Sequence, residues 1–376
     1  MAARWKSNRT WRCLFHGEEI SLNQENGSSP NVRKRVGLRE VARAAETSIA
    51  TVSRVLNNTG YVSEESRRKV LEAVRSLNYQ PNLRAKALRQ RYSRTIGLII
   101  PNLLNAYYTA LADQISLLLN QEGFQLLLSS TRDDVEIERT ALQKLIGHDV
   151  DGLIWVPTAP DSDLLNHLYS QNIPTVCIVR QIKGSRLDAI VFEDFRGAKA
   201  ATQELLRAGH TRIGYIGGDI CYSSNYDRWQ GFLQAMKEAG VPAEECCVHL
   251  GALRSEWGAR AAAELLNLQP RPTALFVASN AIMPGVIKTL RTQGIEIPRH
   301  ISLICFDDLD WFSFSQPPIT AVATSHTHLA QACVDLLLRR IRGEDGELPQ
   351  PYLRQISFEL VLRASIAPPP QKRNPE

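Results

Sequence analysis

Three short apolar periods separated by tight turns fill residues 36–80, and few folds accommodate that pattern. Leu38, Val41, Ala42 and Ala45 recur at helical spacing, with Arg39 and Arg43 on the opposite face. Ser48 is a good N-cap for a second helix that turns Val52, Val55 and Leu56 inward and leaves Ile49, Ala50, Ser53, Arg54 and Asn57 outward. Ser63 opens a third helix as half of a capping box, with Ser66 in place of the usual Glu or Gln, and Val70, Leu71, Val74 and Leu77 face inward. Pro81 stops that helix, and a short basic segment, NLRAKALRQRYSR, follows as a hinge over 81–94. Two helices across a tight turn, backed by a third, form a helix-turn-helix.

The outward face of the second helix has the chemistry of base-edge recognition. Arg54 can bond a guanine bidentately, and Ile49 and Ala50 can touch thymine methyl groups. Ser48, Thr51, Ser53 and Asn57 suit phosphate oxygens. The hinge is too short and too polar to hold a helix alone, so it is expected to order on DNA. Charge agrees: residues 1–95 hold 19 Lys+Arg against 8 Asp+Glu, so this part carries +11 while the rest of a +5 chain carries −6. Positive charge sits where phosphate contact is expected.

The run A-x-x-x-x-x-S-x-A-T-V-S-R-V-L-N-N, then V-S-E-E, then L-N-Y-x-P-N, resembles the lactose/galactose repressor (LacI/GalR) family of bacterial transcription factors, and the likeness continues from about Gly37 to Arg363. The resemblance implies that Ile49, Ala50 and Arg54 choose the operator sequence and that Asn57 and Tyr61 contact phosphates. It also implies that Leu88 is the minor-groove wedge of the hinge, joined there by Asn82 and Ala85. The Ile49-Ala50 pair is nearer the galactose-type than the lactose-type pattern. Two positions depart from the family: the turn reads Glu46-Thr47 where Gly or Asn followed by Val is usual, and Gly37 replaces the common Thr cap. Glu46 then has to adopt a turn conformation that favours Gly or Asn.

From Thr95 onward strand and helix patterns alternate in two cycles, the second starting near Gly197, which predicts α/β architecture with parallel sheets and a ligand cleft at the strand ends. The resemblance implies two doubly wound, periplasmic-binding-protein-like subdomains joined by three crossovers. Their expected extents are about 95–194 plus 322–352 and 195–321 plus 353–365, within a core spanning 95–365. The candidate effector residues also come by resemblance: Arg228 in R-W-Q-G-F, Asp307 in C-F-D-D, Asn280 in A-S-N, Tyr222 and Ser224 just before Arg228, and Asn105 and Tyr107 on the first-strand loop. Where many relatives have V-D-R and N-D, this chain has Ile178-Val179-Arg180 and Asn280-Ala281. Two acidic positions are thus gone while Arg180 and Arg228 remain. Unpaired arginines in a cleft favour a sugar acid or phosphorylated sugar over a neutral sugar.

Other signals carry less. GYIGGD lacks the G-x-G-x-x-G spacing of a nucleotide cradle, and His210, His326 and His328 lack the companions of a metal site, so no cofactor is expected. Seven cysteines without a C-x-x-C pair indicate reduced thiols in a cytoplasmic protein. Residues 1–35 lack a signal-peptide apolar run and read as a disordered arm or a misassigned start; residues 366–376 read as a disordered tail. One helix-turn-helix covers a half-site, so a homodimer on a palindromic DNA operator is the simplest assembly. The competing class, a solute-binding protein of periplasmic-binding type, leaves residues 36–93 unused and needs a secretion signal. An enzyme would need a nucleophile elbow, metal motif or phosphate loop that the sequence does not show.

Overall fold

The computed structural model describes residues 36–79, 92–158, 162–242, 246–344 and 351–370. The described residues fall into two compact units, one on each side of position 82. The hinge positions Asn82, Ala85 and Leu88, residues 1–35 and residues 371–376 lie outside the described residues.

The first unit is a three-helix bundle: α1 (Leu38–Ala44), α2 (Ile49–Asn57) and α3 (Glu64–Ser76). Val41, Ala42, Ala45, Val52, Val55, Val70, Ala73 and Tyr79 form its core. Ser48 caps α2 by accepting from the Thr51 amide at 3.1 Å, and Ser63 caps α3 by accepting from the Ser66 amide at 3.3 Å. Leu71 departs from its expected place: it is 41% exposed, and Ala73 fills the core instead. The reason is angular. Val70, Ala73, Val74 and Leu77 make one stripe of i, i+3, i+4, i+7 spacing, and Leu71 lies off that stripe. Glu46 takes φ +52°, the left-handed conformation that its turn demands.

The second unit holds two six-stranded sheets. The first comprises β1 (Thr95–Ile100), β2 (Gln125–Ser130), β3 (Gly152–Trp155), β4 (Thr175–Ile178), β5 (Asp188–Phe192) and β11 (Leu353–Ile356), in the spatial order β2-β1-β3-β4-β5-β11. All its pairs are parallel. The second comprises β6 (Ile213–Gly218), β7 (Cys247–Gly251), β8 (Ala274–Val277), β9 (Ser302–Phe306), β10 (Thr320–Thr324) and β12 (Phe358–Val361), in the order β7-β6-β8-β9-β10-β12. Only β12 runs antiparallel, against β10. Each sheet is covered on both faces, by separate apolar clusters. Near-continuous buried runs such as IGLII in β1 and SLICF in β9 are what a parallel sheet between helices requires.

The chain crosses between the halves three times, near residues 193, 325 and 357, and the expected boundaries shift accordingly. All of β10 belongs to the second sheet, and the next helix, α12 (His326–Arg342), buries Leu329, Cys333 and Leu337 in the first half's core. Leu353–Ile356, expected in the second half, pairs with Ala189–Phe192 in the first. Only Ser357 separates it from β12, so the two strands read as one in sequence although they belong to different sheets. The strands β5 and β7 and the helix α9 (Ser255–Leu266) are further elements that the alternation did not bring out. The expected disordered tail begins too early as well. Ile366 packs on the second half's core, and the Ala367 amide and carbonyl both bond the Ser302 hydroxyl, at 3.0 and 2.9 Å.

Candidate functional site

In the first unit, α2 presents the face expected from sequence. Ile49, Ala50, Arg54 and Asn57 are exposed, Thr51 and Ser53 half-buried, and Tyr61 is 91% exposed beyond the helix. The polar groups are partly occupied locally: the Ser48 and Thr51 hydroxyls bond each other at 2.9 Å, and the Asn57 amide donates to the Ser53 carbonyl at 2.9 Å. These bonds order the polar side chains of the outward face, while Val52 and Val55 on the opposite face are locked in the core. Arg67 of α3 donates to the Asn58 side chain at 3.2 Å and so ties down the left-handed end of α2. The result is a rigid helix with an arginine and two small apolar groups facing out.

In the second unit, the ends of both sheets meet at a polar cleft. Seven of the candidate effector residues, Asn105, Tyr107, Arg180, Ser224, Arg228, Asn280 and Asp307, line it together. Tyr222 does not line it but lies against Arg180, ring centre to guanidinium 3.7 Å. Further lining residues, Tyr108, Asp133, Phe192 and Asn225 among them, were not anticipated. Asn105 caps α4 (Ala106–Gln121) by accepting from the Tyr107 amide at 3.0 Å, which sets both tyrosines at the helix start. Arg228 lies on α8 (Ser223–Glu238), with its guanidinium over the ring of Phe306, the last residue of β9.

The two arginines are not unpaired. Arg228 donates to Asp194 at 2.7 Å and to the Ala278 carbonyl at 2.8 Å, stacks on Phe306 at 3.7 Å, and faces Asp307 at 3.8 Å. Arg180 is only 2% exposed and donates to Asp133 at 2.7 Å and to the Pro157 carbonyl at 3.2 Å. The expectation of spare positive charge is therefore corrected: Asp133 holds Arg180, and Asp194 holds Arg228. Asp133 was one of two adjacent aspartates after an apolar strand. Asp194 follows β5, a strand that the alternation had not revealed.

Burial pushes the Asp194 carboxyl up to about 7, against the opposing pull of Arg228. Burial works against the Arg228 charge too, but Asp194 and Asp307 outweigh it and hold its pKa above the ordinary value. Asp307 accepts from Asn280 at 2.8 Å and from the Thr324 hydroxyl at 3.4 Å. Burial raises the Tyr107 phenol well above its usual range, so the hydroxyl stays a neutral donor. About 40 Å³ of free space remains between the halves. That is room for a few waters, well below the roughly 300 Å³ or more of typical small-molecule sites, so the halves must part to admit a ligand.

Comparison with known proteins decides the family. Residues 37–82 match the bacterial regulatory proteins of the lacI family, and residues 202–366 match a periplasmic binding protein-like domain. The HTH-type transcriptional repressor PurR of Actinobacillus pleuropneumoniae serotype 5b (strain L20) is 32% identical over 329 residues, 88% of this chain and 98% of that protein. The chain belongs to the LacI family. As a LacI-family member it is a DNA-binding transcriptional regulator, and its two-unit architecture follows the family. The Lac repressor dimer bound to operator and the anti-inducer ONPF superposes with a TM-score of 0.78 at 25% identity, covering 89% of this chain and all of that one. The transcriptional regulator CelR in complex with cellobiose superposes with a TM-score of 0.66 at 28% identity, covering 88% and all. Among the described residues no helix is long and apolar enough to cross a membrane.

Proposed function

We propose that this LacI-family chain is an effector-responsive repressor of carbohydrate-related genes that binds a palindromic operator as a homodimer and takes a neutral, hydroxyl-rich ligand in its cleft. The observation that carries the ligand class is the pairing of both cleft arginines. With Arg180 on Asp133 and Arg228 between Asp194 and Asp307, the cleft offers many donors and acceptors, and both cations among its described lining residues are paired. A sugar acid or sugar phosphate would have to displace a carboxylate from a buried arginine, which costs several kcal/mol unless fully compensated. A neutral sugar leaves those pairs intact and bonds to their free edges. CelR, a structural relative, holds cellobiose, which supports the same class.

On the DNA side, Ile49, Ala50 and Arg54 read base edges in the major groove, while Ser48, Thr51, Ser53, Asn57 and Tyr61 face phosphates. Hinge residues Asn82, Ala85 and Leu88 enter the minor groove. In the cleft Asn105, Tyr107, Ser224, Arg228, Asn280 and Asp307 contact the effector, and Arg180 borders it. Ligand binding biases the two halves between open and closed arrangements, and a coupling of about 1–3 kcal/mol to operator affinity is typical of such two-state proteins.

The test is fluorescence anisotropy on duplexes tiled from the DNA flanking the gene, at about 0.15 M salt, where binding reflects specificity as well as phosphate contact. Nanomolar binding to one palindromic duplex, lost in Arg54→Ala, is expected. A panel of neutral sugars, sugar acids and sugar phosphates then reads the effector class. A response confined to the anionic compounds would overturn the neutral-ligand reading without touching the operator result.

A further inference from the structure

The loop after β4 reaches out of the first half and takes hold of the second. The Gln181 amide donates to the Ser223 hydroxyl at 2.9 Å, the Arg180 guanidinium lies on the Tyr222 ring at 3.7 Å, and the Lys183 ammonium lies over the Tyr226 ring at 4.8 Å. All three acceptors sit on the first turn of α8 or at its cap, the helix that carries Arg228. None of Gln181, Lys183, Tyr222, Ser223 or Tyr226 lines the cleft.

The backbone is bent to make these contacts. Val179 takes φ +65°, a left-handed conformation that a β-branched side chain resists, and the Arg180 amide closes the turn on the Ile178 carbonyl at 2.6 Å. On the facing loop after β2, Arg132 and Asp133 are both left-handed, at φ +58° and +57°, and Asp133 bonds Arg180 at 2.7 Å. Strain of this kind persists only where surrounding contacts hold it. Here it aims Arg180 so that one side of its guanidinium is fixed within its own half by Asp133 and the Pro157 carbonyl, while its flat face meets the Tyr222 ring of the other half.

We propose that Arg180, Gln181 and Lys183 form a clasp on Tyr222, Ser223 and Tyr226 that ties the two halves together by contacts of their own and so sets the regulator's basal operator affinity. The clasp makes Arg180 a positioning residue between the halves. Its regulatory consequence rests on the reading of the cleft as the effector site; the clasp itself does not. The contacts are polar, exposed at their edges and few, which suits a joint that must open to admit ligand.

The experiment uses the full chain carrying Ser223→Ala, and separately Tyr222→Leu, neither of which removes a cleft-lining group. Hydrogen exchange followed by mass spectrometry is expected to show amides of residues 179–187 and 222–227 exchanging about tenfold faster, with β1 and β9 and the melting temperature unchanged. Exchange equal to that of the parent, or faster throughout the second unit, would overturn the clasp. On the operator duplex without sugar, a shift in Kd of about threefold or more in either direction is expected, since weakening one state moves a two-state population. An unchanged Kd in a variant with the altered exchange would overturn the regulatory role. If the parent binds no duplex, the repressor reading and the clasp's regulatory role both fail, and exchange still decides the clasp.

Discussion

His210 joins three separate stretches of the second half. Its Nε2 donates to the Ala367 carbonyl at 2.8 Å and lies 2.9 Å from the Ser302 hydroxyl, and its Nδ1 pairs with the Thr273 hydroxyl at 2.8 Å, partners that a neutral ring satisfies on both nitrogens. Burial lowers its pKa from the usual 6.5. The unfolded chain therefore binds a proton more readily than the folded one, so the stabilisation from this residue is present above about 6.5 and is lost as pH falls through the lower folded value. His210→Ala is expected to destabilise the second unit by about 1–3 kcal/mol at pH 7.5, because Ser302 and Ala367 lose a partner in the interior. Melting curves of parent and variant should draw closer as the pH drops below 6.5; a constant gap across that range would count against the neutral-ring assignment. A histidine before a strand was visible in the sequence, but that its partners would be 63 and 157 residues away was not.

At the scale of elements, the glycine of the R-W-Q-G-F stretch has a packing cause. A Cβ on Gly231 would lie 2.2 Å from the Phe195 carbonyl and 3.0 Å from the Lys199 amide, both on α7 (Asp194–Arg207). The two helices touch backbone to backbone there, and this brings Asp194 of one within 2.7 Å of Arg228 of the other. Gly231→Ala should cost roughly 1–3 kcal/mol or more by forcing the helices apart. It should also weaken effector binding more than Gly147→Ala, a control with open space around its Cβ; calorimetry on both variants checks this. Element type was legible wherever an apolar period ran unbroken, as in α4, α8 and α12. It failed for Cys247–Gly251 and Leu353–Ile356, edge strands half open to solvent, where four or five residues carry no distinctive period.

For the whole molecule, charge and ligand chemistry separate the two binding events. The positive charge of residues 1–95 predicts operator affinity that falls about 100-fold or more between 50 and 200 mM salt as counterions are released. The cleft, whose charges are paired internally, predicts that effector affinity changes less than about twofold over the same range. Titrating both across that salt series checks the contrast. A steep salt dependence of effector binding would signal an anionic ligand and an arginine freed from its carboxylate.

The helix-turn-helix and its outward side chains were determined by the sequence alone, because a short bundle has only local periods, caps and turns to satisfy. Ser48 caps the second helix, Ser63 caps the third, and Glu46 makes the turn between the first two. The two-cycle α/β core was legible for the same reason: buried parallel strands are continuous apolar runs. Only the tertiary structure decided which sheet β11 joins, because either sheet edge offers the same backbone hydrogen bonds to a short strand. It alone decided that Arg180 and Arg228 are neutralised, because Asp133 and Asp194 lie 47 and 34 residues away along the chain. Charge balance in a cleft depends on distances in space, and a linear pattern of residue types does not contain them.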